Sequence, residues 1–198
     1  MLVIGITGGI GSGKSVATAF FRSQGAAIID ADEVAREVTQ PGSPVLREIA
    51  AAFGPEALRP DGSLDRPKLA GMVFGDQQAL AKLNALTHPS IMAGIERRLR
   101  QLGERGGTAV ACVVAPLLLE AGGRRIVDRV LVMTAEESER VRRVMARDGL
   151  SEAEVRARMA AQMPPAAQVR EADWVVDTTR GSEAARRQLE CIWAGLGL

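Results

Sequence analysis

Eight residues near the amino terminus have the types and spacing to hold a phosphate. Gly8-Gly9-Ile10-Gly11-Ser12-Gly13-Lys14-Ser15 fits G-x-x-x-x-G-K-[ST]. The glycines let successive backbone N–H groups turn inward around an anion, and a helix starting near Lys14 adds its positive end. The Lys14 ammonium suits the β- and γ-phosphates of a nucleotide, and the Ser15 hydroxyl suits a direct bond to Mg2+. A chain of this composition matches the pattern by chance about 0.003 times. The context also fits, because the apolar run Leu2 to Ile6 precedes the loop and a helical-looking KSVATAFFRS follows it.

Two further groups have chemistry to offer. Asp30-Ala31-Asp32 closes a second short apolar run, Ala26 to Ile29, at the strand edge where open α/β sheets bind ligands. If the extended run persists through residue 32, both carboxylates point to one side. Asp30 is then assigned to capping or orientation before a helix starting at Glu33, and Asp32 to activating an acceptor hydroxyl. A carboxylate of ordinary basicity serves there, since a loose phosphoryl-transfer transition state asks mainly for orientation. Arg140, Arg143 and Arg147, spaced i, i+3, i+7, share one helix face while Arg142 points away. Beside a phosphate loop such a row reads as clamps for phosphate.

The elements that must position these groups alternate. Apolar strands at about 2–6, 26–29, 108–115, 127–133 and 174–176 are separated by helical patterns, which implies a parallel sheet covered on both faces. The nearly eighty residues between the second and third strands exceed one crossover helix. They carry helical patterns at 44–53, 65–74 and 76–102, with His88-Pro89 expected to break the last and Thr87 or His88 to cap its second half. Two capping boxes, Thr134-x-x-Glu137 and Ser151-x-x-Glu154, are expected to open helices joined at Asp148-Gly149.

The 198 residues carry 25 Lys+Arg against 24 Asp+Glu, a net charge of +1 that argues against a general nucleic-acid or membrane-surface binder. Aromatics are 3% with no Tyr, so a stacking platform for single strands is not expected. Cys112 and Cys191 lack metal-ligand spacing and read as thiols in a reducing compartment. No apolar run approaches a membrane span and no leader peptide is evident, so a cytoplasmic protein is expected, with a monomer favoured. The guanine-reading N-K-x-D of switch GTPases is not found. A small-molecule kinase fits better than a motor or transporter ATPase, because such enzymes hang an acceptor-binding insert and a mobile lid on this core.

Taken in order, the motifs resemble the dephospho-CoA kinase family. They are T-G-G-I-G-S-G-K-S at 7–15, D-A-D-E-V-A-R-E-V at 30–38, D-G-S-L-D-R at 61–66 and L-N-A-L-T-H-P at 83–89. P-L-L-L-E at 116–120, R-D-G-L-S at 147–151, R-M-A-A-Q at 158–162 and A-D-W-V-V-D at 172–177 complete the series. The resemblance implies a P-loop kinase of the nucleoside-kinase type, with a five-stranded parallel sheet, a helical acceptor-binding region at about 40–104 and a helical lid at about 135–168. The core is then about 1–39, 105–134 and 169–198. It further implies transfer of phosphate from ATP, with Mg2+, to the ribose 3′-hydroxyl of dephospho-CoA. It puts Gly11, Ser12, Gly13, Lys14, Ser15 and Val16 around the ATP phosphates. Asp32 would orient that hydroxyl and touch Mg2+ through water, Lys14, Arg143 and Arg147 would serve the transferred phosphate, and Arg36 and His88 would bind the acceptor.

The chain departs from the family pattern at four places. Val16 replaces Thr, Ala115 stands where many relatives carry Asp, Arg140 replaces Gln, and Thr178 replaces an Asn. Ala115 leaves the second Mg2+ contact to water, Asp32 or Glu120. A kinase for another nucleotide or metabolite, or a nucleotide-binding regulator without catalysis, are the alternative readings.

Overall fold

The computed structural model describes residues 1–73 and 75–197. Continuous apolar runs make the strands. They are β1 (Leu2–Thr7), β2 (Ala27–Asp30), β3 (Val110–Val114), β4 (Arg129–Thr134) and β5 (Trp174–Asp177). All pair in parallel, in the order β2-β3-β1-β4-β5. Ile6 and Asp30 both pair with Val114, so the loop after β1 and the end of β2 leave the sheet at the same carboxyl edge. The chain divides into two compact units, Met1–Asp30 with Gln101–Leu198, and Ala31–Arg100.

In the first unit, α1 (Lys14–Ser23) and α9 (Ser182–Ala194) cover one sheet face. Phe20, Phe21, Ala185 and Leu189 pack there on Ile4, Ile6, Val110, Cys112, Leu131, Met133 and Val176, all buried. Gly25, at φ 83°, follows α1 and ends it, as its place after the apolar pattern predicts. The remaining helices of this unit are α6 (Glu137–Asp148), α7 (Glu152–Ala160) and α8 (Pro165–Arg170). The Ser151–Glu154 capping box is present, and Gly149 at φ 68° separates α6 from α7. The Thr134 box is not. Thr134 ends β4, α6 starts only at Glu137, and the Glu136 N–H donates instead to Thr179 Oγ1 at 2.9 Å. The strand pairing between Thr134 and Asp177 holds Thr134 extended, so its hydroxyl is not placed to cap.

The second unit is helical: α2 (Ala31–Val38), α3 (Pro44–Phe53), α4 (Arg66–Val73) and the start of α5 (Gln77–Arg105). Its own apolar core joins Val45, Leu46 and Ile49 of α3 to Ala57, Leu64 and Leu69. The helix expected at 65–74 is α4; Phe74 lies outside the described residues.

Two sequence expectations fail in this unit. β2 stops at Asp30 and α2 begins at Ala31, so Asp32 sits in a helical first turn and does not alternate with Asp30 along a strand. The helix N-terminus favours a carboxylate at that place. Second, Pro89 does not break the helix, because α5 runs through it for 29 residues. Thr87 and His88 are therefore inside the helix and not at its start, and the Thr87 hydroxyl donates to the Leu83 carbonyl at 2.9 Å. Pro89 deletes one hydrogen bond at a cost of about 3 kcal/mol. The helix keeps its course because the following turns are anchored. Met92 and Ile95 are buried, and Gly94 lets the backbone approach Val34 of α2, where a Cβ would come within 2.6 Å of Val34 Cγ1. Among the described residues, no helix is long and apolar enough to cross a membrane.

Candidate active site

Residues 8–13 join the carboxyl end of β1 to the amino end of α1. Gly11 and Gly13 have φ of 77° and 84°, the left-handed region that glycine enters without strain. The loop is gripped from outside through its carbonyls. Arg140 Nε donates to the Ile10 carbonyl at 2.9 Å, Arg143 Nη1 to that of Gly11 at 3.3 Å, and Thr178 Oγ1 to that of Ser12 at 3.0 Å. A trans peptide directs its N–H opposite to its C=O. Drawing the Ile10 and Ser12 carbonyls outward therefore turns the Gly11 and Gly13 N–H groups the other way, as an anion nest requires. The Ile10 N–H is held as well, donating at 2.8 Å to Oε1 of Gln162, two residues past α7.

A cavity of about 290 Å3 lies over this loop, lined by residues 11–15 and by Arg143 and Arg147 of α6. Lys14 Nζ donates to the Gly8 and Gly9 carbonyls at 2.7 and 3.2 Å. A phosphate oxygen would offer that ammonium a charged acceptor, with roughly twice the strength of a neutral one. Ser15 is exposed in the first turn of α1 and lines the cavity. Ser12 is buried with its hydroxyl unpartnered among the described residues. Val16 packs its side chain against the core, and its N–H donates to the Gly13 carbonyl at 3.0 Å.

The arginine row separates into different tasks. Arg140 is 6% exposed and bound to the Ile10 carbonyl, so here it braces the loop from behind. Burial lowers its pKa, while Glu137 acts in the opposite sense. Arg143 is held at 2.7 and 2.6 Å by the hydroxyl and carbonyl of Thr178, and at 2.8 Å by Glu139. Arg147 lines the cavity and pairs with Asp148 at 2.7 and 2.9 Å. Arg142 points away into solvent, as the spacing predicts, and pairs with Glu139. Hydrogen bonds from Arg142 first, then Arg143, hold the Glu139 carboxyl at about 2.

Thr178 is the residue that sequence reasoning undervalued. It is 1% exposed, so its side chain is not available to a base, and it ties three segments together. Its hydroxyl lies 3.0 Å from the Ser12 carbonyl and 3.1 Å from that of Thr134, and it accepts from Arg143. Only its position after β5, beside the phosphate-loop strand pair, creates this role. Thr178→Val keeps the shape and removes the hydroxyl. Loss of about 1–3 kcal/mol of stability is expected from the stranded partners, read by denaturant unfolding, together with a raised KM for ATP; Thr178→Ser should restore both.

At the position of Ala115 the third strand supplies no carboxylate, and Ala115 itself is buried. Glu120 accepts the Met163 N–H through Oε1 at 3.0 Å. Among the described residues no cluster of three or more His, Cys, Asp or Glu side chains could hold a metal ion. The donor chemistry nevertheless fits Mg2+. The Ser15 hydroxyl has no hydrogen-bond partner among the described residues and lines the phosphate cavity, and Mg2+ commonly takes one or two protein oxygens alongside phosphate and water.

The other candidates belong to the helical unit. Asp32 and Arg36 are exposed, one turn apart on α2, and His88 is half-buried within α5.

A family model described as dephospho-CoA kinase matches residues 2–183. The chain belongs to this family. It is similar to the dephospho-CoA kinase of Moorella thermoacetica, with 47% identity covering 99% of this chain and 92% of that one. The Geobacter sulfurreducens dephospho-CoA kinase is 45% identical, covering 98% of each. Among solved structures, one from Thermus thermophilus superposes with a TM-score of 0.80 at 39% identity, covering 98% and 97%. Dephospho-CoA kinase from Campylobacter jejuni gives 0.71 at 26%, covering 98% and 96%. A shikimate kinase from Bacteroides thetaiotaomicron, at 13% identity and a TM-score of 0.58 over 100% and 99%, shares the fold alone. The five-stranded parallel sheet of this chain is thus a dephospho-CoA kinase family architecture.

Proposed function

We propose that this protein transfers the γ-phosphate of ATP to the ribose 3′-hydroxyl of dephospho-CoA, giving coenzyme A and ADP. Full-length membership of the family carries the reading, and the intact, externally braced phosphate loop supports it. Residues 11–16 hold the ATP phosphates, with Lys14 following charge onto the transferred group. Arg143, fixed by Thr178 and Glu139, and Arg147, which lines the cavity while paired with Asp148 through Nε and Nη2, stabilise the charge that develops there. Asp32 accepts the hydrogen bond of the 3′-hydroxyl and orients its oxygen for attack; Arg36 and His88 bind the acceptor. Ser15 would hold Mg2+ directly and Asp32 would meet it through water, and the bound ion would neutralise phosphate charge. The helical region at about 40–104 is the acceptor-binding part and about 135–168 the lid. A monomer in the cytoplasm is the proposed working form, consistent with Cys112 and Cys191 both being free thiols.

The test is turnover of ATP and Mg2+ with purified protein and dephospho-CoA. A 3′-phosphorylated product is expected, formed with higher kcat/KM than from competing nucleosides or sugars. No product, beside a family enzyme active in the same assay, would refute it.

A further inference from the structure

Helix α2 presents two differently treated charged faces. Glu33 and Glu37 both pair with Arg98 of α5, Glu33 at 3.9 Å, so the carboxylates of that face have their partner within the helical unit. Asp32, Arg36 and Thr39 follow at intervals of four and three and so share another face. Arg66, the first residue of α4, is brought onto it: its Nη2 donates to Thr39 Oγ1 at 2.7 Å. Thr39 is 6% exposed and its hydroxyl gives its own proton to the Ala35 carbonyl at 2.6 Å, so toward Arg66 it is an acceptor.

This arrangement places two guanidinium groups on one face. The neutral Thr39 oxygen is the hydrogen-bond partner of Arg66, and Arg36 is exposed on the same face. A guanidinium carries five N–H donors in a rigid fork, most of which Thr39 leaves unused. Desolvation lowers the Arg66 pKa first, the like charge of Arg36 lowers it further, and Asp32 opposes both. Two neighbouring forks of this kind match two neighbouring phosphates better than one carboxylate.

We infer that Arg66 and Arg36 form a binding site for the 5′-diphosphate of dephospho-CoA on the α2 face that carries Asp32, with Arg66 the specificity-determining member. The inference rests on the proposed acceptor reading. At 1.5 Å rise per residue, Arg36 and Thr39 stand about 6 and 10 Å along the axis from Asp32. A ligand whose hydroxyl meets Asp32 thus reaches the arginines through the ribose and the start of its 5′ chain. An acceptor with a hydroxyl but no diphosphate leaves the two neighbouring guanidinium groups without a phosphate to bridge them, and so binds less well.

The experiment measures dephospho-CoA binding by calorimetry, with the ATP site filled by a non-hydrolysable analogue, alongside steady-state kinetics. Arg66→Gln is expected to weaken dephospho-CoA binding about 10- to 100-fold, the worth of a charge-assisted bidentate contact. KM for dephospho-CoA should rise in parallel, with KM for ATP and kcat nearly unchanged, and Arg66→Lys should recover part of the loss. A folded Arg66→Gln protein that binds dephospho-CoA within twofold of wild type would overturn the site. So would equal losses for ATP and acceptor accompanied by a lowered Tm, which would make Arg66 only a tether between α4 and α2. If wild type binds dephospho-CoA and loses binding in Arg66→Gln but forms no product, the site stands and the kinase reading fails. If product forms and Arg66→Gln binds normally, the kinase reading stands alone. If wild type does not bind dephospho-CoA, both are rejected.

Discussion

Asp32→Asn is expected to lower kcat by about 10²- to 10⁴-fold, the range for losing a positioned acid–base group. KM for ATP should stay within about twofold, because the nest, Lys14 and the helix end that hold phosphate all lie outside α2. The substitution is nearly isosteric, and the exposed first turn of a helix tolerates Asn, so folding should persist. What changes is the acceptor. An amide oxygen takes a hydrogen bond but carries no charge to draw the 3′-proton or to meet a metal-bound water. A catalytically silent regulator would instead give an Asp32→Asn protein indistinguishable from wild type. Steady-state kinetics with separately varied ATP and dephospho-CoA decides the matter.

The second large effect is expected at Lys14. Lys14→Ala removes an ammonium that donates to the Gly8 and Gly9 carbonyls in the protein alone and that phosphate would draw away. Both ground-state binding and the transition state should suffer, in contrast to Asp32→Asn. A kcat loss of about 10²- to 10³-fold is expected, as for deletion of one preorganised donor at a charge-developing centre. KM for ATP should rise about tenfold or more, since a charge-assisted contact is also lost from the bound nucleotide. Lys14→Arg should not restore activity. A planar fork cannot occupy the place of a compact ammonium inside a loop whose glycine backbone passes this close. Normal kcat with only a raised KM would show that Lys14 binds ATP uniformly and does not follow the transferred phosphate.

Much of this was legible before any coordinates. The phosphate loop could be read because glycine is demanded by backbone geometry at fixed offsets, and because strand and helix patterns flank it. The apolar runs announced a parallel sheet, since strands buried on both faces do not alternate. Asp32, Arg143 and Arg147 stood out through type and spacing. Other features are hidden from a local reading. Propensity does not locate the exact point where β2 yields to α2, so Asp32 falls in a helical turn where the apolar run points to a strand. The local cost of Pro89 is visible in sequence, whereas the anchoring of the turns around Gly94 is not. Thr134 matched a capping box by letter, but its pairing with Asp177 held it in β4.

The sequence by itself therefore determined the chemistry available: a phosphate nest, a mobile ammonium, a carboxylate after the second strand and a row of arginines. Local rules sufficed for these, because each depends on residues adjacent in the chain. Only the tertiary structure decided how the row is divided. Arg140 faces inward to brace Ile10, while Arg143 is fixed by a threonine 35 residues away. The physical reason lies in the loop's carbonyls. For its N–H groups to face an anion, the opposing C=O groups must find donors elsewhere, and those donors come from α6 and from the residue after β5. Hydrogen-bond partners of this kind are chosen by the packing of distant segments, which no local pattern of residues encodes.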